Sequence, residues 1–172
     1  MKHFQAFGTS LMLAMSMSGL AIETHAQQRP LKEQIVGTWS LVSFDAVGTD
    51  GSRKPFLSSQ PKGIFMVDGA GRYSLVLTNP ERPKKWTGGN REAIPAEEYK
   101  SAAMGLVAQF GNWSVDDGSK TFIRKVEGAL NPTLAGTEQK LGITLTGDEL
   151  KIVEATSGIT GTRVETAYRR VK

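Results

Sequence analysis

The sequence of 172 residues contains no cysteine, and its two histidines, His3 and His25, both lie within the first 26 residues. A domain that starts after them lacks the side chains of a Cys–His pair, a Ser–His–Asp triad, a tetrahedral zinc site and a histidine-ligated haem. Disulfide bonds are excluded as well. We therefore predict no metal site, no cofactor and no catalytic residues.

Long apolar runs are also scarce, and the one near the N-terminus has the order of a secretory signal. A short basic start precedes the apolar stretch Phe7–Ile22, and small residues before Gln27 suit cleavage. Hydroxyl side chains interrupt this stretch, which falls short of the roughly 20 apolar residues that a spanning helix needs. We predict a cleaved signal peptide over residues 1–26, a domain over residues 27–172, and a periplasmic or secreted protein with no stable membrane anchor after cleavage.

The sequence has little excess of one charge, since 21 Lys and Arg residues stand against 17 Asp and Glu residues, a formal net charge of +4. The densest basic segments, at positions 82–85 and at the C-terminus, are short and are typical of solvated loops or strand ends. They come without an aromatic–basic recognition motif. We predict no nucleic-acid partner, and the sequence leaves the oligomeric state open.

Short apolar runs separated by turn residues dominate the rest of the sequence. Tyr73, Leu75 and Leu77 alternate with polar residues, which is the period-two pattern of a strand with one buried face. Asp-Gly and Gly-Asp tips between such runs favour hairpins. The pattern predicts eight strands, at Ile35–Val47, Gly63–Asp68, Arg72–Thr78, Asn112–Val115, Lys120–Gly128, Thr137–Leu145, Glu149–Ala155 and Thr162–Val171.

One segment departs from the strand pattern. Pro95 and the two glutamates after it suit the first turn of a helix, and apolar residues recur at three- and four-residue spacing from Tyr99 to Phe110. These features predict a helix of about 12 to 14 residues between the third and fourth strands. The segment Asn79–Ile94 before it predicts a long loop, and long loops in compact domains are often functional.

Eight antiparallel strands in one domain must protect the edges of their sheet. Closure into an up-and-down barrel removes these edges, and eight strands leave room for side chains or for one small ligand. An open sandwich of two sheets is the alternative. We predict an all-β, mainly antiparallel fold in which eight strands form an up-and-down barrel.

Several blocks of the sequence resemble a known family. Gly37-Thr38-Trp39 on the first strand resembles the Gly-x-Trp signature of lipocalins and of the wider calycin superfamily. The likeness to the bacterial and fungal lipocalin-like domain family runs from Leu31 to the C-terminus and implies an eight-stranded calycin barrel with a helix over one end and a pocket. The blocks that carry it are Ile35–Phe44, Pro61–Gly63 with Asp68–Ser74, Phe110–Asp116, Val126–Gly128, and Gly136–Gln139.

The resemblance also implies a structural role for three residues. In lipocalins the signature tryptophan packs at the closed end of the barrel under an arginine from the last strand. Here Gly37 and Trp39 match the signature, and Arg170 is the expected partner, with Arg169 as the alternative. The guanidinium would lie over the indole ring and donate to nearby carbonyls. Relatives often carry histidine where this chain has Arg124-Lys125, so a histidine-dependent activity is not implied.

The predicted function is binding of a small hydrophobic or amphipathic molecule in the lumen. Such a site binds by burial and orients its ligand with a few polar groups. A charged residue within a strand faces either water or a polar lumen, and an inward Arg124 would hold a ligand carboxylate. Core packing and a solvated outer face are the simpler alternatives for these positions. The candidate ligand-binding residues are Tyr73, Leu75, Trp113, Arg124, Glu127 and Glu138.

Two other functions remain open at this point. A calycin-type enzyme (an isomerase, cyclase or hydrolase) would need Glu127, Glu138, Lys125 or Tyr73 for proton transfer, and the carboxylate would have to be desolvated. A buried glutamate that faces a cavity beside a tyrosine or lysine would favour the enzyme. A protein-binding module would use the helix and an exposed apolar patch over Trp86 and Tyr99.

Overall fold

The computed structural model describes residues 29–158 and 160–172, and the predicted signal peptide over residues 1–26 lies outside them. Within this part of the chain, none of the helices is long and apolar enough to cross a membrane. The elements are α1 (Leu31–Ile35), β1 (Gly37–Val47), β2 (Arg53–Pro55), β3 (Lys62–Val67), β4 (Arg72–Thr78), a 3-10 helix (Arg91–Ala93), α2 (Ala96–Met104), β5 (Leu106–Asp116), β6 (Thr121–Ala129), a second 3-10 helix (Pro132–Leu134), β7 (Glu138–Thr146), β8 (Glu149–Glu154) and β9 (Arg163–Arg170).

Eight of the strands close into an antiparallel barrel. Neighbouring strands pair in the order β1, β3, β4, β5, β6, β7, β8 and β9, and β9 pairs again with β1. The closing ladder is long, since Trp39 lies opposite Arg170 at one end and Val47 lies opposite Arg163 at the other. The predicted eight-stranded barrel is confirmed, and the open sandwich is wrong.

The ninth strand is a short addition that the sequence pattern did not predict. β2 pairs with the last residues of β1, from Asp45 to Val47. All three of its residues are exposed, so no alternation of apolar and polar side chains marks them. Because β2 precedes β3, the helix α2 follows the fourth strand of the chain. The same two strand segments flank it as predicted, but the unpredicted β2 makes them the fourth and fifth strands, so the position between strands three and four is not confirmed.

The helix is also shorter than predicted. α2 has nine residues and ends at Met104, whereas Leu106 and Phe110 belong to β5. Both residues fit the helical spacing, but β5 pairs with β4 from Leu106 onwards and with β6 from Gln109 onwards. Ladders on both sides satisfy the backbone N–H and C=O groups of this segment, and they outweigh a weak apolar periodicity.

One end of the barrel is sealed by an arginine packed on a tryptophan. The guanidinium carbon of Arg170 lies 4.1 Å from the ring centroid of Trp39, and the indole Nε1 donates to the carbonyl of Ile35 at 2.8 Å. The Nη atoms of Arg170 donate to the carbonyls of Val36, at 3.0 Å, and Gln34. These contacts hold α1 across the end of the barrel, which we call the closed end.

Gly37 has a conformational reason to be glycine. Its φ of +141° lies in a region that other residues rarely adopt. A Cβ atom on this residue would also come within 2.8 Å of Nη1 of Arg170. The signature glycine therefore allows the arginine to approach the backbone beside Trp39.

The opposite end of the barrel, which we call the mouth, is partly covered by the chain that follows β2. Phe56 packs against Phe44 with the ring centroids 4.9 Å apart, and the backbone N–H of Phe56 donates to the carbonyl of Phe44 at 2.8 Å. Leu57 also packs against the core. Apolar side chains therefore cover the part of the mouth that lies beside the end of β1.

Substitution of Arg170 tests the closed end. We expect Arg170→Lys to lower the free energy of unfolding by about 1–2 kcal/mol, because lysine keeps the charge but loses the planar contact with Trp39 and the pair of carbonyl bonds. Urea unfolding measures the loss. Arg169→Lys is the matched control, since Arg169 is exposed and contacts Glu149 at 3.4 Å. Equal losses in the two variants would contradict the assignment.

A charge cluster on the outer face connects β2, β8 and β9. Glu165 is 4% exposed, and its carboxylate contacts Nζ of Lys151 at 2.7 Å, an Nη of Arg163 at 2.6 Å and Arg53. Hydrogen bonds from Lys151 first, then from Arg163 and Arg53, lower the pKa of Glu165 from 4.5 to about 2. The folded protein therefore holds Glu165 ionised.

This cluster predicts a defined loss of stability in acid. Because the pKa of Glu165 is lower in the folded chain than in the unfolded chain, its contribution is complete above about pH 4.5 and declines as the pH falls towards 2. We expect Glu165→Gln to cost about 1–2 kcal/mol at pH 7, allowing for its half-exposed partners, with the difference shrinking over that window. Unfolding curves across the pH range measure it. Glu149→Gln, which removes one partner of an exposed ion pair, is the control and should show no such window. A stability difference for Glu165→Gln that stays constant across the pH range would contradict the prediction.

Candidate functional site

Polar side chains gather inside the barrel. Strand alternation brings Arg124 inward between Phe122 and Val126, which are buried. On β8 the same alternation turns Glu154 inward after Leu150 and Ile152. We call this group the lumen cluster, and its members are Tyr73, Gln109, Arg124, Gln139, Glu154 and Tyr168.

Arg124 is the central residue of the lumen cluster. The residue is 9% exposed, and its Nε donates to Oε1 of Gln139. Its Nη2 lies 3.7 Å from Oε2 of Glu154, which is an ion pair but too long for a good hydrogen bond. Burial lowers the pKa of Arg124, and the negative charge of Glu154 opposes this shift. An arginine remains charged in such surroundings.

Two further atoms of the cluster lack hydrogen bonds. The hydroxyl of Tyr73 and Oε1 of Gln109 are buried and have no partner within the described residues. Burial raises the pKa of the Tyr73 hydroxyl, so it stays protonated and can donate, whereas the Gln109 oxygen can accept. A buried polar group without a partner costs about 1–3 kcal/mol. Binding of a polar ligand group beside Arg124 could supply partners for such atoms and would therefore be favourable.

The space beside these groups is small. A cavity of about 30 Å³ lies between Gln109, Arg124, Glu154 and Tyr168, with apolar walls that include Leu75. This volume admits one or two water-sized groups. It can hold a carboxylate or a hydroxyl group, but it cannot hold the whole of a drug-sized molecule.

Three of the predicted binding residues lie inside the barrel, apart from Arg124. Leu75 lines the cavity. Tyr73 is buried near Arg124 but does not line the cavity, and its hydroxyl has no partner within the described residues. Trp113 belongs to the core, because its ring stacks on Phe122 with centroids 5.6 Å apart. Its Nε1 donates to the carbonyl of Asp68 at 3.1 Å, on the side of the closed end. Core packing, the simpler alternative for Trp113, describes it correctly.

The other two predicted residues, Glu127 and Glu138, lie on the outer face and do not line the lumen. Glu127 accepts a bond from Nη2 of Arg72 at 2.7 Å, which lowers the pKa of this glutamate. Glu138 lies 3.6 Å from Nζ of Lys125, and both side chains are substantially exposed. The physical reason is strand alternation, since residues next to an inward side chain point outward.

Four members of the lumen cluster are not among the residues predicted from the sequence, namely Gln109, Gln139, Glu154 and Tyr168. The alternation on β8 was a usable signal for Glu154, because it continues the inward series of Leu150 and Ile152. Among the described residues, no group of three or more acidic side chains, histidines or cysteines could hold a metal ion.

The long loop and α2 keep an aromatic pair on the surface. The rings of Trp86 and Tyr99 lie 5.3 Å apart, and the Tyr99 hydroxyl donates to the carbonyl of Arg91 at 2.6 Å. The two residues are 45% and 36% exposed. Trp86 is therefore held by the helix, and the lining of the lumen cavity does not include it.

Comparison with known proteins gives one similar structure and one matching family model. The chain is similar in structure to a lipocalin-like protein from Bacteroides uniformis, with a TM-score of 0.43 and 12% sequence identity, over 79% of this chain and 97% of that one. A search of curated proteins gives no match. The family model of the lipocalin-like domain matches residues 36–167. The match spans most of the chain, and the protein belongs to the lipocalin-like domain family.

Proposed function

We propose that this protein is an exported binding protein that takes the polar head of a small amphipathic carboxylic acid into the barrel lumen, at Arg124. The observation that carries the proposal is a buried arginine with an incomplete set of partners. Its ion pair with Glu154 is 3.7 Å long, and the neighbouring Tyr73 hydroxyl and Gln109 oxygen are unpaired within the described residues.

The chemistry of a carboxylic acid suits these groups. A guanidinium offers five N–H donors in a planar fork that matches a carboxylate. The contact with Gln139 uses the Nε donor and Nη2 makes the long ion pair with Glu154, so within the described residues the terminal nitrogens still have N–H donors to offer a ligand. Gln109 borders the cavity, and its side-chain oxygen can accept from a hydroxyl on the ligand.

The size of the cavity narrows the ligand class that the sequence suggested. A volume of about 30 Å³ fits a head group and excludes a hydrophobic molecule enclosed as a whole. The proposal is therefore a ligand anchored at its polar end, whose apolar body lies outside this cavity.

The proposed export rests on the N-terminal segment. A basic start, an apolar stretch and small residues before Gln27 are the order of a signal peptide. A periplasmic or secreted location follows from it. N-terminal sequencing of exported protein should begin near Gln27, and a start at Met1 would contradict cleavage.

An enzyme is the weaker alternative. Of its four predicted proton-transfer groups, Glu127, Glu138 and Lys125 are exposed on the outer face. Tyr73 is buried with a raised pKa, so it is a poor base at neutral pH. Glu154 borders the cavity beside Tyr168, but its ion pair with Arg124 favours a role in holding charge.

Two charge-removing changes test the binding proposal with decanoate as the probe. We expect Arg124→Gln to weaken decanoate binding roughly tenfold to hundredfold, because a charge-assisted contact is lost. Glu154→Gln should strengthen it by roughly tenfold, because the carboxylate that competes for Arg124 is removed. Isothermal titration calorimetry measures both affinities.

Opposite effects of the two substitutions on decanoate affinity would indicate a binding role for these residues. If the residues were only structural, both substitutions would lower the affinity. Glu127→Gln is the matched control, since this glutamate pairs with Arg72 outside the barrel, and it should bind as the unchanged protein does. Thermal unfolding confirms that each variant is folded. Failure of the unchanged protein to bind decanoate, or equal binding by Arg124→Gln, would overturn the proposal.

A further inference from the structure

The wall of the barrel is incomplete between β7 and β8. Their ladder runs from Gly142 opposite Val153 to Thr146 opposite Glu149. β7 starts at Glu138, so its first four residues extend beyond this ladder, whereas β8 ends at Glu154. The chain after β8 turns away towards β9, since the N–H of Ser157 donates to the carbonyl of Thr162 at 2.9 Å. A gap therefore separates residues 138–141 from residues 155–158.

A surface groove occupies this gap, and we call it the side groove. Its volume is about 510 Å³, within the range of roughly 300–1,000 Å³ that is usual for small-molecule sites. Its walls combine apolar and hydroxyl-bearing side chains. The residues that define it are Leu134, Gln139, Lys140, Leu141, Glu154 and Thr156.

The side groove and the lumen cavity share part of their walls. Leu141 and Glu154 line both of them. Gln139 stands between the two spaces, because its Oε1 accepts from Nε of Arg124 and its Nε2 donates to Oε1 of Glu154 at 3.4 Å. One glutamine side chain and one long hydrogen bond thus separate Arg124 from the groove.

The mouth offers a less direct route to Arg124. Phe56 lies edge-on against Phe44 there, and Leu57 packs against the core beside them. Passage from that end would displace apolar side chains that are packed together, whereas passage through the side groove requires a rotation of Gln139. A side-chain rotation is cheap compared with the loss of apolar burial.

We infer that the side groove holds the body of the ligand and is the path by which the head group reaches Arg124. The ligand is then an acid that lies across the barrel wall, with its carboxylate in the lumen and its chain against Leu134 and Leu141. This inference rests on the proposed function, since it needs a head group at Arg124. The lumen cavity of about 30 Å³ has room for the head group only, whereas the groove of about 510 Å³ has room for the apolar body of the ligand.

A removable block in the groove tests the inference. The chain has no cysteine, so Lys140→Cys creates a single thiol in the wall of the groove. A bulky group attached to it by a disulfide should weaken decanoate binding at least about tenfold relative to the same variant in its thiol form. Reduction should restore the affinity, because the backbone and the charge are the same before and after.

Thr144→Cys is the matched control. Thr144 is exposed on β7 and lies opposite Lys151 within the ladder, so the same attached group should leave decanoate binding unchanged. Full affinity in the blocked Lys140→Cys protein, with binding still dependent on Arg124, would overturn the side groove and leave the lumen site standing. Absence of decanoate binding in the unmodified protein would overturn both.

Discussion

Closure of the sheet between β1 and β9 is the constraint on which the rest of the molecule depends. Once these strands pair, alternate residues of eight strands must share one enclosed volume. Large side chains, among them Trp39, Phe65 and Phe122, fill most of it. The space that remains is lined by Gln109, Arg124 and Glu154, because a buried charged group needs polar partners that an apolar neighbour does not supply. Closure of the barrel around these side chains therefore leaves a lumen that is both small and polar.

The architecture was predictable from the sequence because its signals are local. Period-two alternation and Asp-Gly turns marked the strands, and the need to remove sheet edges favoured a barrel. The two errors have different causes. β2 carries no apolar residue apart from Pro55, so pattern analysis had nothing to detect, and it forms because β1 extends past β3 and offers a free edge. Leu106 and Phe110 fit a helix and a strand equally well, and only pairing with β4 and β6 decides between them.

The candidate site was predictable in part. Arg124 could be named because a charge within a regular strand must face water or a polar lumen, but its partners come from β7 and β8, and register between strands is not visible in one sequence. Glu127 and Glu138 lie in regular strands near the family-like blocks, which suggests a site, whereas alternation with the inward Arg124 and Leu141 assigns both to the outer face. The incomplete ladder between β7 and β8 depends on where the chain after Glu154 turns, which no short pattern records.

The closed end of the barrel also determines where the two ends of the domain lie. Arg170 binds the carbonyls of Gln34 and Val36, and the N–H of Val171 donates to the carbonyl of Thr38 at 2.9 Å. The first and last elements of the domain thus lie side by side at the closed end, opposite the mouth. A leader, a tether or a fused partner attached at either terminus starts from that end. An attachment after Lys172 therefore leaves from the end opposite the mouth, so the protein can be immobilised by its C-terminus with the mouth turned to the solution.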